Sequence, residues 1–149
     1  MSLTTIYFIK NLDTRRIKIG KSTHVEKRVN ILQTTSGCYC ELLVYINDVP
    51  EYYERALHGM FAKNRYLGEW FKDYHSLIKN FINKLLSQDM KQRQNFLKKK
   101  INKFTQLQAK IEEQTQRNEQ KHEYALENKR LYNERKQRID GWGNILNTF

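Results

Sequence analysis

The chain has 149 residues and carries 27 Lys+Arg against 16 Asp+Glu, a net charge of +11. That length suits one compact domain plus an extension, and the basic excess points to a polyanionic partner, nucleic acid before anionic membrane. No stretch approaches the ~20 apolar residues of a spanning helix, and no basic, apolar leader opens the chain. The expectation is an intracellular protein, in the cytoplasm or nucleus of a host or associated with a virus, without a membrane partner.

Residues 5–20, TIYFIKNLDTRRIKIG, read as two alternating runs joined by a polar turn. As strands they place Ile6, Phe8, Ile17 and Ile19 on one dry face, and Tyr7 and Lys18 on the other. Pairing Ile6 with Ile19 sets Tyr7 directly across from Lys18. The turn Asn11-Leu12-Asp13-Thr14-Arg15 carries the Asn and Asp that tight turns favour. Thr23-His24-Val25-Glu26 has the spacing of a capping box, so a helix is expected from about His24, with Val25, Val29 and Leu32 as its apolar stripe. Lys27 and Arg28 fall off that stripe, and Gly37 supplies a stop. Residues 38–46, CYCELLVYI, read as a third strand closed by residues 47–50. Cys38 and Cys40, the only cysteines, share one face of it, where a disulfide would be strained, so free, half-buried thiols are expected. Together with His24, His58, His75 and His122 they do not give the spacing of a zinc site.

A second helix is expected over residues 51–64, with Tyr53, Leu57, Met60 and Phe61 buried. A turn follows at Tyr66-Leu67-Gly68, then Glu69-Trp70-Phe71. A third helix over 74–86 is built on Leu77, Ile78, Phe81, Ile82, Leu85 and Leu86. The elements describe an α+β domain of residues 1–88, a small three-stranded antiparallel sheet flanked by helices. Residues 89–139 lack Pro and Gly and read as one long basic helix of about 70 Å. Leu97, Ile101, Phe104 and Ile111 follow the four-three spacing of a coiled coil, which the polar positions beyond do not sustain, so a short coiled coil or homodimer stands beside a single solvated helix. Residues 91–138 carry a charge of +8 against +4 for residues 1–90. Lys98, Lys99 and Lys100 are the densest point of that charge, which favours phosphate contact over a merely solvated face. In the tail, residues 140–149, Gly141 and Gly143 are expected to break the helix, leaving Trp142, Ile145, Leu146 and Phe149 to dock on this or another chain.

Four polar residues converge if the strands form one sheet: Tyr7 and Lys18 on the hairpin, Arg28 on the first helix and Glu54 on the second, one turn before His58. Each has a plain structural explanation on its own, and Glu54 with His58 is an i,i+4 pair that also stabilises a helix. Together they carry a pattern. Thr5-Ile6-Tyr7, Lys18-Ile19-Gly20, Arg28, Glu54, Leu57-His58 and Gly68-Glu69-Trp70-Phe71 occur in the order of the GIY-YIG nuclease superfamily. Over residues 4–82 the chain resembles its phage and large-virus branch, related to the meiotically up-regulated gene product type. Thr5 stands for the first glycine, Lys18 for the second tyrosine, and Glu69 falls where the family has a late asparagine.

The resemblance implies metal-assisted hydrolysis of DNA phosphodiesters. Tyr7 would activate water, Arg28 would stabilise charge on the phosphate, Glu54 would hold Mg²⁺ or Mn²⁺, and His58 would bind phosphate or move a proton. Lys18, opposite the phenol, would favour the phenolate. Lys21, Lys27 and residues 98–100 would contact DNA. The alternative is a catalytically inactive nucleic-acid-binding or assembly protein with the same fold.

Overall fold

The computed structural model describes residues 2–146, and side chains through residue 142. The chain runs β1 (Leu3–Asn11), β2 (Ile17–Ser22), α1 (Val25–Ser36), β3 (Cys40–Pro50), α2 (Tyr52–Met60), β4 (Arg65–Leu67), β5 (Trp70–Phe71), α3 (Leu77–Leu86) and α4 (Met90–Leu146), with single 3₁₀ turns at Ala62–Asn64 and Tyr74–Ser76. The mixed α+β class is as expected, but the antiparallel sheet has five strands, not three, in the order β3-β1-β2-β5-β4. Where a turn at Tyr66-Leu67-Gly68 and then Glu69-Trp70-Phe71 are expected, the chain forms the added pair β4–β5; strands of three and two residues carry no periodicity in the sequence. Gly68, at φ 56, joins them in the left-handed region that glycine occupies without penalty.

Parity in the first hairpin is as read, and the register is not. Tyr7 pairs with Gly20 and Phe8 with Ile19, so Lys18 lies opposite Ile9 instead of Tyr7. Asn11 explains the longer turn. Its Oδ1 accepts the N–H groups of Asp13 and Thr14 at 3.0 and 3.1 Å, and its own N–H reaches Arg16 O at 2.9 Å. β3 begins at Cys40 and continues to Pro50, past the expected stop, because the register with β1 shifts near Asp48, a residue at φ 54.

The sheet separates two apolar layers. On one face Ile6, Phe8, Ile17, Ile19, Val44 and Ile46 pack with Tyr53 and Leu57 of α2 and Ile78, Ile82 and Leu85 of α3. On the other face Tyr7, Ile9 and Cys40 lie under Val25, Val29 and Leu32 of α1. No bond from Thr23 caps α1, whose N-cap is His24; Ser22 Oγ accepts the His24 N–H instead, and Gly37 ends the helix in the left-handed conformation. α3 starts three residues later than expected, since His75 and Ser76 are both left-handed, and Asp73 caps it by accepting the N–H groups of Ile78 and Lys79. Leu77 and Leu86, expected in the core, are exposed. Both cysteines are free thiols, and Cys40 is the buried one.

The chain divides into two compact units, Met1–Thr105 and Gln106–Phe149. Leu97 and Ile101 are fully buried in the core of the first, so the opening turns of α4 are part of the folded unit. Asp89 and Gln92 form a reciprocal cap at its start, at 2.8 and 3.0 Å. Arg93 and Gln94 then donate to Tyr45 O and Asn47 O of the edge strand β3, occupying groups that would otherwise template another strand. In the second unit the helix runs through Gly141 and Gly143 to Leu146 where a break was expected. Trp142 is exposed, and the docking expected of Ile145, Leu146 and Phe149 lies outside the described side chains. Among the described residues no helix is long and apolar enough to cross a membrane.

A chain cut after residue 88 loses Leu97 and Ile101 and is expected to unfold, whereas one cut after residue 105 keeps a cooperative denaturation transition. Leu97→Ala in the full chain should cost about 2–5 kcal/mol, the range for emptying a buried leucine site. Equal stability of the two truncations contradicts this packing.

Candidate active site

Alternation along β1 sends Tyr7 to the α1 face, where it is 1% exposed. Its cross-strand partner is Gly20, and the ring lies over that position. A Cβ at residue 20 would run into the phenol, with Cζ only 2.6 Å away. Glycine is required there by the close approach, not by backbone conformation. The final residue of Lys18-Ile19-Gly20 therefore makes the seat for the tyrosine.

Arg28, half-buried on α1, turns toward this ring instead of pointing away from the sheet. Burial pushes the Tyr7 phenol above its usual value of 10.0; the Arg28 guanidinium pulls it down by hydrogen bonding and charge, while Glu69 and Glu54 push it up. Tyr7, Arg28, Glu54 and Glu69 thus act on one another across a single site. The phenol is neutral at physiological pH.

Lys18 occupies the same face and is almost wholly buried, with an ion pair to Glu69, whose side chain is 42% exposed. The expectation that Lys18 favours the phenolate is corrected here: it lies opposite Ile9, its charge is matched by Glu69, and the phenol is raised. Trp70 adds an aromatic face 5.6 Å from the ammonium. Glu69 is the residue to which sequence reasoning gave no role. Its signal was a lone acid beside Trp70-Phe71, which only the unseen β5 brings next to Lys18.

Glu54 projects from the first turn of α2 with 15% of its side chain exposed. Lys21 lies 3.6 Å from it and 3.7 Å from Glu51, which places Lys21 in the acidic part of the site. His58, one turn on, donates from Nε2 to Ile19 O at 2.8 Å and packs against Phe71. Ile19 N–H meanwhile donates to Glu69 O at 3.1 Å. β5 is too short to satisfy both backbone groups of Ile19, and the imidazole completes them. His58 thereby ties α2 to β2, a structural duty that also fixes its tautomer. Glu54, His58, Gly68 and Glu69 line one open cavity of about 790 Å³ together with Arg55 and Arg65.

Among the described residues no three His, Cys, Asp or Glu side chains cluster to make a protein-only metal cage. One carboxylate at the mouth of an open cavity suits a different kind of ion. Mg²⁺ keeps several waters and is commonly held by one or two carboxylates plus substrate phosphate oxygens. Glu54, with Glu51 beside the same lysine, fits that donor set. Lys27 and Lys98, Lys99 and Lys100 are exposed, the last three between the buried Leu97 and Ile101 of α4. Among the described residues no ion pair ties any of these four to the cluster around Tyr7.

Residues 4–86, more than half of the chain, match the T5orf172 domain, which is associated with homing-endonuclease-like and GIY-YIG-like proteins. No curated protein and no solved structure matches the chain.

Gly20→Ala is expected to destabilise the fold by about 1–3 kcal/mol, the usual cost of overpacking. Tyr7→Leu, which removes the phenol, should recover part of that loss when combined with it. Denaturant titration of the three variants checks this, and a Gly20→Ala protein as stable as wild type contradicts the seat.

Proposed function

This chain belongs to the T5orf172 domain family, and on that premise we propose that it is a metal-dependent endonuclease that hydrolyses DNA phosphodiester bonds. The observation that carries the reading is the convergence of Arg28, Glu54 and Glu69 on one buried phenol seated over Gly20. A buried tyrosine with a guanidinium and two carboxylates in electrostatic reach is costly to maintain as packing alone, and such arrangements concentrate at functional sites.

The positions support the following roles. The Tyr7 oxygen takes the proton of the attacking water, whose oxygen bonds to phosphorus as one P–O ester bond breaks. Arg28 presents fixed donors to the charge that builds on the phosphate oxygens. Glu54 would hold a divalent ion, Mg²⁺ or Mn²⁺, which would supply Lewis-acid stabilisation of the negative charge that builds during hydrolysis. Lys18 keeps the floor of the site neutral through Glu69, and His58 holds α2 and its Glu54 against β2. The overall charge of +11 favours DNA as the polyanion.

Tyr7 must lose its proton to act as base, and its pKa is raised, so the active fraction grows with pH. Cleavage of supercoiled plasmid with Mg²⁺ or Mn²⁺ should climb by up to about tenfold per unit between pH 7 and 9. Tyr7→Phe should lose about a hundredfold or more together with that climb. Glu54→Ala should abolish the metal-dependent cutting, as should chelation of the metal. Absence of metal-dependent nicking in the wild type, or nicking unchanged in both variants, leaves the alternative of a DNA-binding protein with an inactive site.

A further inference from the structure

Tyr66 of β4, Lys72 just after β5 and Arg16 just before β2 form a basic–aromatic group next to the candidate site. The Arg16 guanidinium lies 3.4 Å from the centre of the Tyr66 ring, and the Lys72 ammonium is 4.8 Å from the same ring. Arg16 and Lys72 each sit one residue beyond the paired, buried Ile17 and Phe71. The N–H of Lys72 extends the hairpin ladder to Asn64 O at 2.8 Å. Alternation therefore puts both cations on the opposite face from Ile17 and Phe71, the face of Lys18, Trp70 and Tyr7. Along β2 and β5 this gives two rungs, Lys18 with Trp70 and then Arg16 with Lys72.

The two rungs differ electrically. Lys18 is matched by Glu69, and Lys21 by Glu51 and Glu54. Among the described residues neither Arg16 nor Lys72 has a carboxylate within ion-pair distance. Both are half-buried and held against a ring that is itself 47% exposed, on the outermost strand of the sheet. Stacking on tyrosine leaves the N–H edge of a guanidinium free for a bidentate acceptor and removes much of the entropy it would lose on binding one. Two pre-positioned, uncompensated cations in line with a phosphate-cleaving centre suit the next phosphates along the same strand.

We propose that Arg16 and Lys72, splinted by Tyr66, form a phosphate clamp that binds the DNA backbone flanking the scissile bond. The proposal rests on the nuclease reading for its position on the strand, and the binding itself does not need catalysis. It assigns Tyr66 a supporting role: its ring holds the cations and is not a platform for a base.

The test is equilibrium binding of the full chain to a fluorescent duplex in EDTA, where no cutting occurs, over a range of salt concentrations. Each phosphate contact contributes roughly 0.9 to the slope of log K against log salt. Arg16→Gln with Lys72→Gln should lower the slope by about two, while Lys10→Gln with Lys79→Gln, on another cavity of the domain, should leave it nearly unchanged. Tyr66→Ala should weaken binding several-fold, and Tyr66→Phe, which keeps the ring, should not. Circular dichroism and melting of each variant establish that it is folded. A wild-type slope in Arg16→Gln/Lys72→Gln, or an equal fall in the lysine control, overturns the clamp. If the wild type cuts DNA but that slope is unaltered, the clamp fails and the nuclease stands. If it binds with the clamp-dependent slope and never cuts, the nuclease fails and the clamp stands. No binding by the wild type overturns both.

Discussion

The approach of the Tyr7 ring to the backbone of Gly20 is the constraint on which the site depends. It needs β1 and β2 paired in one register, a glycine at one position and a tyrosine directly opposite. Shifting the pairing by two residues keeps every apolar side chain on its proper face, yet brings Tyr7 against the buried, charged Lys18. The ring then has no seat and the phenol no route to Arg28. Much of the surrounding structure secures this register: the Asn11 turn at one end of the hairpin, and His58 and Glu69 on the two backbone groups of Ile19.

The electrostatics follow from that seat. A phenol inserted between a sheet and α1 is desolvated and stays neutral. It needs positive charge to become a base, and the chain spends its cations unevenly around it. Lys18 and Lys21 are neutralised by neighbouring carboxylates, whereas Arg28 acts on the phenol itself. The buried charge of Lys18 is thus compensated locally by Glu69, which balances the floor of the site without displacing Tyr7.

The sequence made some of this legible and hid the rest for identifiable reasons. Alternation assigned Ile6, Phe8, Ile17 and Ile19 to one face and Tyr7 and Lys18 to the other, because parity survives any two-residue slip. Register did not, because it depended on how Asn11 builds the turn. β4 and β5 are too short for a period, so the pairing of Lys18 with Glu69 and Trp70 was out of reach. The four-three spacing of Leu97, Ile101, Phe104 and Ile111 is that of a coiled-coil seam; an amphipathic helix packing on its own domain has the same pattern, and Leu97 and Ile101 pack that way here. Thr23 and Glu26 had the capping-box spacing that Asp89 and Gln92 in fact use. Arg28 falls off the apolar stripe, and a helix face next to the stripe can still reach Tyr7 on β1.

The central claim is that Tyr7 and Arg28 act as one unit on the scissile phosphate. A double-mutant cycle in single-turnover cleavage of a defined duplex tests it directly. If the two work together, Tyr7→Phe with Arg28→Ala should be little slower than the worse single variant, because either change alone disables the unit. Losses that multiply across the two substitutions would show independent contributions and contradict the account.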